Sequence, residues 1–254
     1  VSQKQEKIYF GLDISQKTIE IFALKGEKGV PFGKILNNQK SLNDFFDKVP
    51  FPSKTITVAL ETGTHSAWIS HCLEQRGYEV IVAHARDLAF IYKGDKKSDR
   101  IDAEKLARVA RADKKLLHPV RLMSKTRQEA LLAIKARDLL MKERTCIVNA
   151  IRGFVRSLGI DDAEYSIETI SKMYSVLPKE IRQNLRGLFS VLTAINNNIS
   201  SYDKRLKKIA EEYPETKILQ QVKGVGPIIA LSFALIISDP NRFSSQKNVL
   251  HILD

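Results

Sequence analysis

Residues 8–36 read IYFGLDISQKTIEIFALKGEKGVPFGKIL, a series of short apolar segments separated by turn-forming residues. Residues 8–14 are typical of a buried strand, and residues 19–24 and 30–36 are typical of two more. The last two segments are joined across Gly26-Glu27-Lys28-Gly29, a loop rich in residues that tolerate positive φ. This stretch therefore predicts three antiparallel strands at the start of a mixed α/β domain.

The next fifty residues continue the domain with alternating helices and strands. Ser41 is predicted to cap a short helix, which Pro50-Phe51-Pro52 must end because proline lacks a backbone donor. A strand is predicted over 55–60, a helix over 66–76 that ends at Gly77, and a strand over 80–83. The predicted order is strand-strand-strand-helix-strand-helix-strand.

Charge and composition narrow the class of protein. The chain of 254 residues carries 41 Lys and Arg against 29 Asp and Glu, a net charge of +12, which is typical of a polyanion binder. Residues 93–160 alone hold 18 basic and 8 acidic residues. The 43% hydrophobic content excludes a mainly disordered chain. With two cysteines and no apolar run near the ~20 residues of a membrane span, we expect a cytoplasmic, nucleoid-associated protein without a membrane partner.

The second half of the sequence is predicted to be helical. One long helix is expected over residues 124–158, and a heptad seam in a second helix is formed by Leu185, Leu188, Leu192, Ile195, Ile199, Tyr202, Leu206, Ile209 and Tyr213. These helices could pair within the chain or between chains. We therefore expect three regions: an α/β domain over 1–115, a helical coiled-coil region over 116–215, and the start of a helical C-terminal domain over 216–254.

Four carboxylates stand at positions that suit metal binding. Asp13 lies near the end of the first predicted strand and Glu61 at the end of the fourth, whereas Asp99 and Asp102 lie three apart at a predicted helix start. Such residues also serve as caps or complement a helix dipole. In a basic setting, however, they provide the oxygen ligands that Mg²⁺ prefers, and paired ions of this kind cleave phosphodiesters.

The motifs around these carboxylates resemble the DEDD transposases of insertion sequences and their DNA-invertase relatives. The matching segments cover nearly the whole chain: residues 11–14 (GLDI), 60–63 (LETG), 97–108 (KSDRIDAEKLAR), 137–140 (RDLL), Arg144, 149–153 (NAIRG), 225–227 (VGP) and 239–243 (DPNRF). The resemblance implies an α/β RNase H-like (RuvC-like) N-terminal domain followed by an all-α coiled-coil region and the start of a helical C-terminal domain.

By this resemblance, the protein is a transposase or site-specific DNA recombinase of an insertion sequence. Asp13, Glu61, Asp99 and Asp102 would be the catalytic residues and the ligands of Mg²⁺, for which Mn²⁺ can substitute. The partners would be DNA (element ends and target), a structured noncoding guide RNA, and further copies of the chain in a dimer or tetramer. The family's nucleophilic serine follows the segment that ends at Phe243, and its position is absent from these residues.

Two other functions remain open at this stage. The chain could be a RuvC-like junction-resolving nuclease that uses water, or a truncated, non-catalytic RNA- or DNA-binding oligomer. In each case, the expected nucleic-acid contacts are Lys93, Lys96, Lys97, Arg100, Arg108, Arg127, Arg137, Arg144, Arg152, Arg156, Lys223, Gly224 and Gly226. Alternatively, the long stems of the helical arginines cover the apolar seam. The glycines could likewise form a plain turn between two helices.

Overall fold

A computed structural model of the chain describes residues 6–84 and 98–238. The chain divides into two compact units, Val1–Met123 and Ser124–Asp254. Among the described residues, no helix is both long enough and apolar enough to cross a membrane.

The first unit contains a mixed sheet of five strands among its described residues. They are β1 (Ile8–Ile14), β2 (Thr18–Lys25), β3 (Lys28–Leu36), β4 (Ile56–Glu61) and β5 (Glu79–Ala83), in the spatial order β3-β2-β1-β4-β5. The first three strands pair antiparallel, whereas β1 with β4 and β4 with β5 pair parallel. Each predicted strand is confirmed. β1 has the predicted bounds, β2, β3 and β5 begin one or two residues earlier than predicted, and β4 is shifted by one residue towards the C-terminus.

Three helices cover this sheet: α1 (Gln39–Phe46), α2 (Ser66–Gln75) and α3 (Asp99–Ala112). Helices α1 and α2 pack on the face that carries Phe10 and Leu12, and α3 packs through Ala103 and Ala107 on the other face. Ser41 was predicted to cap α1, which is wrong. Extended Asn38 is the N-cap, and its side-chain oxygen accepts a hydrogen bond from the Ser41 N–H at 2.8 Å.

The second unit is helical, with α4 (Lys125–Ser157), α5 (Met173–Val176), α6 (Lys179–Glu211), α7 (Pro214–Leu219) and α8 (Pro227–Ile237). The two long helices, α4 and α6, pack against each other within the chain. One of their buried clusters contains Val148, Ile151 and Val155 of α4 with Leu185, Phe189 and Leu192 of α6. A second cluster joins Ala130, Ala133 and Ile134 to Leu206, Ala210, Leu231 and Leu235, so α8 closes that end.

The turn before α8 has the geometry that its glycines predict. Gly224 has a φ of +90°, a conformation that side-chain-bearing residues rarely adopt. Gly226 is the N-cap of α8 and Pro227 occupies the first helical turn, where a missing N–H costs nothing. The predicted tight turn that opens a helix is therefore confirmed, while its role in nucleic-acid binding stays a prediction.

Candidate carboxylate site and basic helices

The parallel pairing of β1 with β4 brings two of the predicted carboxylates to one edge of the sheet. Leu12 lies opposite Leu60 in the ladder, so Asp13 and Glu61 follow at adjacent strand ends. Side chains alternate between the faces of a strand, which places Asp13 on the same face as Gly11. Both carboxylates are half-buried. The topology predicted from the sequence therefore accounts for this half of the site.

Helix α3 supplies the other two carboxylates from its first turn. Ser98 is its N-cap, with a side-chain oxygen that accepts a hydrogen bond from the Ile101 N–H at 3.3 Å. Asp102 is only 8% exposed, whereas the Asp99 side chain is 52% exposed. Asp102 therefore lies on the side of α3 that faces the sheet, whereas Asp99 lies towards solvent.

The close approach of α3 to β1 depends on Gly11. A Cβ atom at this position would lie 1.9 Å from the carbonyl oxygen of Ala103 and 2.8 Å from the backbone nitrogen of Ala107. Those distances are far below van der Waals contact, so only glycine allows this backbone packing. Gly11 precedes Asp13 by two residues and Ala103 follows Asp102, which means that this contact sets how close the carboxylates come.

The pKa of Asp13 shows that these carboxylates act on one another. Burial contributes most and the negative charges of Asp99, Asp102, Glu61 and Glu20 contribute the rest, and together they raise this pKa from 3.8 to about 6. All four predicted site residues therefore share one electrostatic environment. Concentrated negative charge of this kind is relieved by a bound cation or by a proton.

Glu20 is a fifth carboxylate at this site, and the sequence did not predict it. It pairs directly with Asp13 across β1 and β2 and is only 6% exposed. Counting outward from the turn at residues 15–17 would have placed position 20 opposite position 13. The residue pattern of Thr18–Lys25 did not indicate that Glu20 is buried, because a glutamate between two isoleucines is typical of a solvent-facing strand position.

Lys34 is a second residue that sequence reasoning missed. It pairs with Glu20 across β2 and β3, and its Nζ lies 2.6 Å from Asp99 Oδ2. A hydrogen bond from Lys34 to Asp99 and their opposite charges raise the pKa of this lysine. The acidic cluster thus contains its own cation, contributed by the edge strand β3.

A cavity of about 450 Å³ opens beside two of the carboxylates. Its lining includes Asp13, Glu61 and the loop from Thr62 to the start of α2, in which His65 accepts a hydrogen bond from the Trp68 indole at 3.4 Å. The space is polar and reaches solvent. A phosphodiester strand could therefore approach the carboxylates from this side.

The donor chemistry of the cluster fits Mg²⁺ better than it fits a softer metal. Within residues 6–84 and 98–238, no group of three or more His, Cys, Asp or Glu side chains is arranged to hold a metal ion. The available donors are nevertheless carboxylate oxygens, the ligands of hard cations, and burial together with the neighbouring negative charges raises the pKa of Asp13. One carboxylate, Asp99, is already paired with Lys34.

Several predicted nucleic-acid contacts have partners inside the chain. Arg137 Nε bonds Asp203 at 2.5 Å, and Arg156 and Arg152 both contact the buried Asp162, at 2.6 and 3.1 Å. Arg127 lies over the ring of Tyr213, with its guanidinium carbon 5.3 Å from the ring centre. Arg137 therefore joins α4 to α6, whereas Arg152 and Arg156 hold the loop that follows α4. These contacts favour the structural alternative, and the nucleic-acid role of these arginines stays a prediction.

The remaining predicted contacts occupy varied positions. Arg108 pairs with Glu104 one turn earlier on α3 at 2.7 Å, and Arg100 and Lys223 are exposed. A hydrogen bond from Ser166 lowers the pKa of Glu168, and the charge of half-buried Arg144 lowers it further. Gly224 and Gly226 form the turn before α8. Lys93, Lys96 and Lys97 lie outside the described residues. Ten of the thirteen predicted contacts therefore lie among the described residues, and their role in nucleic-acid binding stays a prediction.

The sheet order, with carboxylates at the ends of β1 and β4, is consistent with an RNase H-like α/β domain. Comparison with known families gives a narrower assignment. The sequence model of the IS110-type DEDD transposases, described as transposase, matches residues 10–160. The chain belongs to this family.

Individual relatives agree with the family match. A Sinorhizobium fredii protein named as transposase y4pF/y4sB is 28% identical over 249 residues, covering 96% of this chain and 62% of the relative. The transposase for insertion sequence element IS1111A of Coxiella burnetii is 26% identical over 165 residues, covering 62% of this chain and 45% of that protein. A Pseudomonas aeruginosa protein named "Probable family 20 transposase" is 22% identical over 245 residues, which cover 93% of this chain and 70% of the relative. The chain therefore spans less than two thirds of the first two relatives.

Proposed function

We propose that the chain provides the carboxylate catalytic domain of an insertion-sequence recombinase that cleaves and exchanges DNA strands. The observation that carries the proposal is the convergence of Asp13, Glu61, Asp99 and Asp102 on one electrostatic environment. These four residues would hold Mg²⁺, or Mn²⁺ in its place. When bound, such ions would activate the attacking oxygen and stabilise the leaving oxygen of a phosphodiester.

Each carboxylate has a distinct task in this proposal. Asp13 and Glu61 lie beside the cavity and would face the scissile phosphate. Asp102, which is held in place by the packing of α3 on Gly11, would be the innermost ligand of the metal site. Buried Glu20 lies beside Asp13 on the neighbouring strand, and its negative charge would keep the proton affinity of Asp13 high.

The proposal also assigns a role to each region of the chain and names its partners. Residues 1–115 would be the catalytic domain, 116–215 a coiled-coil region for nucleic-acid binding and self-association, and 216–254 the start of a C-terminal transposase domain. The recombinase would act as a dimer or tetramer on element ends and target DNA, guided by a structured noncoding RNA. The net charge of +12 supports polyanion binding.

The experiment that tests the function is Mg²⁺-dependent cleavage of DNA carrying the element ends. Asp13→Asn is expected to reduce the rate at least about a hundredfold, as is usual when a group that acts at the reacting centre is lost. Asp44→Asn is the matched control, because Asp44 is exposed on α1, which covers the opposite face of the sheet. Equal rates for Asp13→Asn and wild type would contradict the proposal, and nicking by water without strand exchange would instead favour a junction-resolving nuclease.

A further inference from the structure

Lys34 is positioned by the sheet and not by chance contact of two flexible side chains. Consecutive cross-strand pairs join Asp13 to Glu20 and Glu20 to Lys34. Directly paired residues project from the same face, so the three side chains form one line across β1, β2 and β3. The line ends at Lys34, whose ammonium group reaches Asp99 on α3.

The bond between Lys34 and Asp99 is of a kind that exchanges readily. Their side chains are 51% and 52% exposed, and exposed ion pairs contribute little stability because water and salt compete for both charges. A divalent cation offers Asp99 twice the charge of the lysine and also contacts the neighbouring carboxylates. A divalent ion would therefore displace Lys34 from Asp99 at a modest cost in free energy.

We propose that Lys34 is the internal counter-cation of the carboxylate site, that it leaves Asp99 when a divalent ion binds, and that it then contacts a phosphate of the DNA. This inference rests on the proposed function, because it needs a metal-binding cluster. Lys34 lies at the solvent-exposed edge of that cluster, on an edge strand, where a nucleic-acid backbone has access. A compact ammonium group suits an exchange between carboxylate and phosphate oxygens.

Binding of Mn²⁺, followed by the electron paramagnetic resonance signal of the free ion, tests the first part. Lys34→Met removes the competing cation and is expected to tighten Mn²⁺ binding about fivefold, the effect of deleting one exposed ion pair. Lys28→Met is the matched control, because Lys28 is an exposed lysine at the other end of β3. It removes the same charge and should leave the dissociation constant unchanged.

The outcomes separate this inference from the proposed function. Equal Mn²⁺ affinities for wild type, Lys34→Met and Lys28→Met would overturn the role of Lys34 and leave the metal site intact. No Mn²⁺ binding by either wild type or Lys34→Met would contradict the metal site itself, and the inference with it. Binding only after Lys34→Met would support the inference in its strongest form. Thermal unfolding of each variant checks that the fold is retained.

The salt dependence of duplex DNA binding in Ca²⁺ tests the second part. Each phosphate contact contributes about 0.9 to the slope of log affinity against log salt concentration. Lys34→Met is expected to lower that slope by about one in Ca²⁺ and to leave it unchanged in chelator, while Lys28→Met lowers it in neither case. An unchanged slope in Ca²⁺ would overturn the phosphate contact.

Discussion

Gly11 is the residue whose substitution most directly tests the packing of the site. Gly11→Ala places a Cβ against the backbone of α3, 1.9 Å from the Ala103 carbonyl oxygen, so the helix must move. Overpacking of a core costs roughly 1–3 kcal/mol, and we expect the upper end because backbone atoms cannot rotate away. Urea unfolding should show the loss of stability. Mg²⁺-dependent cleavage should fall even in conditions where the variant stays folded, because Asp102 moves with the helix.

Gly187→Ala is the matched control for this substitution. Gly187 lies in α6, and an added Cβ there meets nothing within 4 Å. Alanine is the better helix former, so stability should rise by up to about 1 kcal/mol. Equal effects of the two substitutions would contradict the close approach of β1 and α3.

Asp162 predicts a pH dependence for the second unit. Hydrogen bonds from Arg156, together with the charges of Arg156 and Arg152, hold its pKa below the ordinary 3.8. A lowered folded-state pKa stabilises the protein above the unfolded value, and that stabilisation is lost as the pH falls through the folded value. Asp162→Asn should therefore lower Tm by several degrees at neutral pH, and the difference from wild type should disappear in acid. Melting curves across an acid series check this, and a difference that persists at the most acidic pH would contradict it.

At the scale of elements, the pairing of α4 with α6 is the feature most open to test. Leu192 is fully buried in the cluster between these helices, whereas the adjacent Val191 is 48% exposed. Leu192→Ala should cost about 2–5 kcal/mol by loss of packing and creation of a cavity. Val191→Ala should change stability by less than about 0.5 kcal/mol. Similar losses at both positions, measured by urea unfolding, would mean that α6 packs on both faces.

The elements themselves were largely predictable because each depends on local signals. The hairpin glycines and the proline segment at 50–52 located the described strands to within two residues. The heptad spacing predicted a long helix, but α6 begins at Lys179, six residues before the seam, and ends at Glu211, so Tyr213 lies beyond it. The partner of the heptad seam was not predictable, because spacing shows an apolar face and not what covers it. The structure covers it with α4 of the same chain, so the predicted dimer or tetramer needs another surface.

The carboxylate site was predictable only in part, for a related reason. Asp13 and Glu61 follow from parallel strand ends, and Asp99 and Asp102 from a helix start. Glu20 depends on the register of β1 with β2, and Lys34 on the register of β2 with β3; two hairpin loops set these registers, and composition does not reveal them. The Asn38 cap was missed because Asn and Ser are both good caps three residues apart.

At the scale of the whole molecule, the structure separates basic residues that hold the fold from those that are free to meet a polyanion. The Arg137 side chain is 19% exposed and bonds Asp203, whereas Lys135, two residues earlier on α4, is exposed. Arg137→Ala should cost about 2 kcal/mol of stability, because it leaves a carboxylate unpaired. Lys135→Ala should leave stability unchanged and lower the salt slope of nucleic-acid binding by about one. A loss of stability in Lys135→Ala, with unchanged stability in Arg137→Ala, would contradict this division.

The central claim is that Asp13, Glu61, Asp99 and Asp102 together form a divalent-cation site of a DNA recombinase. An anomalous difference map from crystals grown with Mn²⁺ tests it most directly. We expect a peak about 2.1 Å from an Asp13 oxygen, with at least two of the other three carboxylates as further ligands and Lys34 withdrawn from Asp99. A map with no peak at these carboxylates, or with Mn²⁺ bound only elsewhere on the chain, would contradict it.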